Sequence, residues 1–215
     1  MMFADRRAAG AVLARILRSY AKRSGLLVLA LPRGGVPVAF EIARALEAPL
    51  DVLPVRKLGV PGHEELAMGA LAAGVRVLNP SAIEQLGISQ EVVDAVAARE
   101  ERELERRERL YRADRPRPEL RDRTLILVDD GLATGSSMRV AIYAARAHAP
   151  AKIVVAVPVA PPETCTSLQS EADEVVCALT PSPLLSIGRW YASFTQVDDD
   201  EVHDLLARSM TRLTR

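Results

Sequence analysis

Residues 125–137, LILVDDGLATGSS, carry four apolar residues into two adjacent carboxylates and then into a turn of small and hydroxylated residues. No other stretch constrains the fold as strongly. A continuous apolar run of this kind reads as a strand buried on both faces, as in parallel sheets covered by helices. Adjacent aspartates repel one another and lose hydration if they are buried unpaired. Asp129 and Asp130 must therefore face solvent or a ligand at the strand's carboxyl end. The segment after them, SSMRVAIYAARAHA (136–149), has helical spacing. The turn thus brings backbone N–H groups, hydroxyls and the positive end of a helix dipole to one place. That is the chemistry of a phosphate site, and carboxylates beside it suit vicinal ribose hydroxyls. The turn is neither G-x-x-x-x-G-K-[ST] nor G-x-G-x-x-G.

Strands and helices alternate along most of the chain. LLVLAL (26–31), PLDVLPV (49–55), TLILVDD (124–130), AKIVVAVPVA (151–160) and DEVVCAL (173–179) read as strands. Helical spacing covers about 5–23, with Asp5 as cap, then 36–48, 89–112, 136–149 and the end of the chain. This order predicts an α/β fold with a mainly parallel sheet and ligands beyond the carboxyl ends of its strands. PRGG (32–35), RKLGVPGHEE (56–65) and DDGLATGSS (129–137) all follow such strand ends. The second of these has two glycines, one proline and little to bury, and reads as a mobile loop. Residues 66–74 and 75–79 resemble a hairpin. Segment 89–112 alternates acids and bases like a solvated helix face, with Val92, Val96, Leu104 and Leu110 as its sparse apolar positions.

The 215 residues carry 28 basic and 28 acidic side chains, and this balance argues against a general nucleic-acid binder. Cys165 and Cys177 have neither C-x-x-C nor zinc spacing, and read as small core residues. The first residues place Arg6, Arg7, Arg15 and Arg18 within an amphipathic helix, unlike a signal peptide, and the apolar runs are too short to span a membrane. A cytoplasmic location is expected.

LILVDDGLATGSS resembles the PRPP-binding signature of the type I phosphoribosyltransferases. The likeness extends over roughly 25–180. It is strongest to stand-alone bacterial phosphoribosyltransferase-domain proteins sharing LPRGGVPVA, VRKLG, HEELAMGA and GRWY-x-x-F. The resemblance implies a mainly parallel central sheet flanked by helices, with a small hood and a flexible loop. It implies one phosphoribosyltransferase domain over 1–215, with its core at about 25–180, its hood at about 180–215 and a helical insertion at about 89–112.

The resemblance also implies roles. Asp129 and Asp130 would hold the ribose hydroxyls and touch Mg²⁺ largely through substrate and water. Ala133, Thr134, Gly135, Ser136 and Ser137 would cradle the 5′-phosphate. Arg33, Gly34 and Gly35 would bind pyrophosphate, with an unusual peptide at 33–34. Arg56 and Lys57 would reach pyrophosphate from the flexible loop, and Glu64, Glu65 or His63 on that loop would be the base. Trp190 first, then Tyr191 and Phe194, would stack on a nucleobase-like acceptor or else pack the hood. Hypoxanthine-guanine members carry Asp where this chain has Ala133, so its A-T-G looks more like adenine-type enzymes. The expected partners are PRPP and a nucleobase-like molecule, with a homodimer possible. Two other readings remain open on the same fold: a PRPP- or nucleotide-sensing regulator without catalysis, and a component docked into a larger enzyme complex through 89–112.

Overall fold

A computed structural model describes residues 2–72, 74–112 and 116–213, leaving the side chains of Glu64, Glu65 and 211–213 outside the description. In chain order the elements are α1 (Arg6–Ile16), β1 (Leu26–Ala30), α2 (Gly35–Leu46), β2 (Leu50–Val52), β3 (Val55–Val60), β4 (His63–Ala72), β5 (Val75–Leu78), α3 (Pro80–Gln85), α4 (Gln90–Arg112), β6 (Thr124–Val128), α5 (Ser136–Arg146), β7 (Lys152–Val159), α6 (Pro162–Leu168), β8 (Glu174–Leu179) and α7 (Asp199–Leu213).

The central sheet is five-stranded and parallel, in the order β2-β1-β6-β7-β8. Alternate residues of its strands feed two cores, as the two-residue period of a strand requires. Val28, Ala30, Ile126, Val128 and Val154 pack under α1, α2 and α7. Leu27, Leu29, Leu125, Leu127 and Val155 pack under α5 and α6. Each fully buried Val, Leu or Ile among them contributes roughly 1.5–3 kcal/mol. In the register Ala30 lies beside Val128, and Val128 beside Ala156. The turns leaving β1 and β6 therefore emerge side by side.

Helix α1 begins as expected, with the Asp5 side chain accepting a hydrogen bond from the Ala8 N–H at 2.8 Å. It ends sooner than expected, giving way to a 3-10 turn at Leu17–Tyr20.

The 56–65 segment differs from the expected irregular loop. It forms most of β3 and the start of β4, an antiparallel pair with register shifts between Leu58 and Val60. Gly62, at φ 79°, makes the turn between them. β5 completes a three-stranded sheet, so the hairpin expected at 66–79 is present. The polar composition concealed a strand whose other residues are buried. Leu58, Val60, Met68 and Leu71 pack against Val93, Val96, Ala97 and Leu104 of α4.

That contact revises the reading of α4. Val92 is exposed and Val93 is buried, and the seam continues through Glu100, Glu108 and Arg112. Arg112 donates from Nη2 to the Val52 carbonyl at 2.6 Å and pairs through Nε with Asp51 at 3.0 Å. The helix is bolted to the end of β2, and is more than a solvated rod.

Cys165 and Cys177 form a disulfide between α6 and β8. The expectation of two separate core residues is corrected here, because the parallel β7–β8 crossover folds α6 back against β8. No helix among the described residues is long and apolar enough to cross a membrane.

Candidate active site

The end of β6 delivers Asp129 and Asp130 into a partly enclosed corner. Asp129 Oδ1 accepts from the Asp130 N–H at 2.8 Å. Asp130 Oδ2 pairs with Arg6 Nε at 2.8 Å, and the Asp130 carbonyl accepts from the Tyr191 hydroxyl at 2.6 Å. Burial pushes the Asp129 carboxyl well above the usual aspartate range, and the neighbouring Asp130 charge adds to this. Burial also raises Asp130, against the downward pull of Arg6.

Sequence reasoning missed Arg6. It is the first residue of α1, 124 positions from its partner. Its guanidinium lies 3.8 Å from the Phe194 ring centroid and donates from Nη1 to the Thr195 carbonyl at 2.7 Å. The segment before it is stitched to the hood by Phe3 N–H to the Trp190 carbonyl and by Ala192 N–H to the Phe3 carbonyl, each at 2.8 Å. The only sequence signal was an arginine beside a helix cap, which is indistinguishable from surface charge.

PRGG turns from β1 into α2 and lies directly against β6. A Cβ on Gly34 would collide with the Asp130 carboxylate, and one on Gly35 would lie 2.5 Å from the Val128 carbonyl oxygen. The two glycines are there because two backbones meet. The unusual peptide is the cis bond Pro32–Arg33, one bond earlier than expected. Arg33 Nη1 lies 3.8 Å from Asp199 Oδ1 at the start of α7, and that oxygen also accepts from the Tyr111 hydroxyl at 3.0 Å. Burial, then the Asp199 hydrogen bond, pushes the Tyr111 phenol up to about 12.

The turn after Asp130 exposes Ala133, Thr134, Ser136 and Ser137 and buries Gly135. The Thr134 and Ser136 hydroxyls lie 2.9 Å apart, and Gly135 takes φ 76° to enter the eleven-residue α5. Among the described residues, the backbone N–H groups of Ala133, Thr134 and Gly135 have no backbone or side-chain acceptor. Three open N–H groups at a helix N-terminus form an anion cradle.

The structure separates Arg56 from Lys57. Successive residues of a strand face opposite ways. Arg56 points to α4, where Nε donates to Glu100 Oε2 at 2.8 Å and Nη2 reaches the same oxygen. Lys57 faces α5 and lines a cleft of about 660 Å³ with Ser136, Ser137, Val140 and Tyr143. In this structure Arg56 therefore ties the hairpin to α4, while Lys57 stands on the cleft side. His63 is exposed on β4, whereas the side chains of Glu64 and Glu65 lie outside the described residues.

The hood aromatics form one cluster. Tyr191 is 5% exposed, packs on Phe3 and stacks on Phe194 at 4.9 Å between centroids. It presents no face to a ligand, since its body fills the hood and its hydroxyl holds the Asp130 carbonyl. Trp190 is half-buried and donates from Nε1 to the Leu184 carbonyl at 3.3 Å. Phe194, at 37% exposed, is the most open of the three and supports Arg6.

The phosphoribosyl transferase domain family matches residues 4–181. The chain belongs to that family. It is 46% identical over 209 residues to "Putative phosphoribosyl transferase Rv0571c" of Mycobacterium tuberculosis, covering 97% of this chain and 47% of that protein. The same figures hold for "Putative phosphoribosyl transferase MT0597" from a second strain. The chain thus spans about half the length of these relatives. The crystal structure of TT1426 from Thermus thermophilus is similar throughout, with a TM-score of 0.88 and 42% identity, covering 97% of this chain and 99% of that one. The central parallel sheet with its flanking helices is the architecture expected of a type I phosphoribosyltransferase. No group of three or more His, Cys, Asp or Glu among the described residues could hold a metal ion.

Proposed function

We propose that this phosphoribosyl transferase domain transfers the phosphoribosyl group of PRPP to a nitrogen heterocycle. One observation carries the reading: Gly34 of the PRGG turn touches the Asp130 carboxylate, and the open N–H cradle at 133–135 follows within the same turn. Subsites for pyrophosphate, ribose and 5′-phosphate are then contiguous, in the order in which PRPP presents them.

In this reading Thr134, Gly135, Ser136 and Ser137, with the Ala133 N–H, hold the 5′-phosphate. Asp129 and Asp130 accept from the ribose hydroxyls. Arg33 exchanges Asp199 for pyrophosphate, and Lys57 adds charge from the hairpin. The bond from C1 to the pyrophosphate oxygen breaks and its electron pair leaves on pyrophosphate. The nitrogen lone pair forms the new bond to C1, and the nitrogen proton passes to a base on the hairpin, with Glu64 the candidate. Catalysis rests on charge stabilisation and water exclusion. Mg²⁺ fits as an ion carried on substrate oxygens beside Asp129 and Asp130, since a site with one or two carboxylates suits it better than an all-protein cage, and it would neutralise the leaving group. The acceptor sits under the hood, with Phe194 its most accessible ring.

A second reading, a PRPP-binding regulator, is favoured by one pattern. Guanidiniums around the site are held by acids: Arg6 by Asp130, Arg33 by Asp199 and Arg56 by Glu100. Pyrophosphate release from PRPP and Mg²⁺ across a panel of nucleobases separates the two. Release with any base supports the transferase. PRPP binding without release from any base supports the regulator, and absence of PRPP binding defeats both.

A further inference from the structure

The phosphate cradle has a keel that the family signature does not contain. Thr164, the third residue of α6, is 6% exposed. Its hydroxyl donates to the Ala133 carbonyl at 2.7 Å. Its methyl lies beneath Gly135, where an added Cβ would come within 3.0 Å of it. One turn later the Ser167 hydroxyl donates to the Thr164 carbonyl at 3.0 Å and accepts from Arg139 Nη2 at 2.7 Å. Arg139 lies in the first turn of α5, and its N–H donates to the Gly135 carbonyl at 2.9 Å. Helix α6 therefore grips the turn on one side and the helix it feeds on the other.

The geometry of the peptide bond gives this grip a consequence. In a trans peptide the C=O and the following N–H point in opposite directions across a plane. Fixing the Ala133 carbonyl inward on Thr164 fixes the Thr134 N–H outward. We propose, resting on the phosphate role of this turn, that Thr164 is the positioning residue of the 5′-phosphate site: it aims the Thr134 N–H at the phosphate without touching it. Without the Thr164 hydroxyl, the 133–134 peptide is free to rotate, and the cradle loses one preorganised donor.

Two variants divide the side chain's two jobs. Thr164→Val keeps the packing under Gly135 and removes the donor. Thr164→Ser keeps the donor and removes the methyl. Calorimetry with ribose 5-phosphate should show about tenfold weaker binding for Thr164→Val, because the Thr134 N–H is no longer held towards the phosphate, and the Ala133 carbonyl left without its partner should also lower the Tm by a few degrees. Thr164→Ser should bind within about twofold of wild type although it melts lower. A purely structural role predicts instead that affinity falls with the Tm in both variants. Equal affinity in Thr164→Val and wild type overturns the proposal, as does a Thr164→Ser variant that binds as weakly as Thr164→Val. If the wild-type protein itself binds neither ribose 5-phosphate nor PRPP, it is the phosphoribosyl reading that fails.

Discussion

Arg6 and Asp130 stand 124 residues apart in sequence and 2.8 Å apart in the fold. The pair brings a guanidinium to the two-aspartate corner, and its charge acts on both carboxylates. Removing one partner of a buried pair is strongly destabilising, because a desolvated charge is left behind. Arg6→Ala is expected to lose about 3 kcal/mol at neutral pH. The loss should shrink on acidification, since protonating the carboxylates removes the uncompensated charge. Urea unfolding at pH 7.5 and pH 5 reads this directly, and a loss that does not vary with pH would count against the pairing.

Asp129 predicts a trade between stability and binding. Its folded-state pKa lies above the ordinary value of 3.8, so its protonated form favours the fold. That contribution is complete below pH 3.8 and is lost as pH rises through the folded value. Asp129→Asn lacks this loss. The free variant should melt above wild type at pH 8, with the gap closing towards pH 4. The same substitution should weaken ribose 5-phosphate at least tenfold, as one charge-assisted hydrogen bond disappears. Melting curves across pH, with calorimetry at pH 8, test both halves.

Arg56 and Lys57 are neighbours that face opposite ways. Arg56→Ala leaves Glu100 buried against the hairpin and should cost about 2 kcal/mol of stability, with pyrophosphate affinity little changed. Lys57→Ala should leave the Tm alone and weaken PRPP roughly tenfold. If the effects appear in the other order, Arg56 moves to the ligand and the α4 contact is temporary.

Most of the central sheet was legible because both of its faces are buried. LLVLA and TLILV have no other way to hide continuous apolar surface. The two aspartates were legible as the point where a buried strand leaves the core, because adjacent carboxylates need partners or solvent there. The hairpin was not, because Gly59, Pro61 and Gly62 mask the alternation of Leu58, Val60 and Met68, and only α4 on the far side explains it. In α4 itself, the choice between Val92 and Val93 depends on which stripe meets that hairpin. Arg6, Thr164 and Asp199 were invisible for a common reason. Each acts through a contact across elements, and an arginine near a cap, a threonine in a short helix or an acid in VDDDE has no local peculiarity. The aromatics illustrate the converse. GRWYASF stood out by composition, yet two of its three rings are partly or wholly spent on packing.

The disulfide makes the last prediction. Cys165 and Cys177 close a loop with a sequence separation of 12, between the helix under the Ala133–Gly135 turn and the edge strand β8. A cross-link of this span stabilises by roughly 3 kcal/mol through restriction of the unfolded chain. For a chain of this size each kcal/mol is worth about 2–4 °C in melting temperature. Reduction, or Cys177→Ser, should therefore lower the Tm by about 6–12 °C. Thiol titration of the denatured protein before and after reduction should rise from none to two, since these are the chain's two cysteines. The effect on ligand should be smaller than the effect on melting, because Thr164 is still held by the packing of Leu168 and by the Ser167–Arg139 contact. Coincident melting curves for the oxidised and reduced protein would show that α6 is held by its core contacts alone. A reduced protein that melts normally but releases ribose 5-phosphate would instead place the bond's influence on the cradle itself.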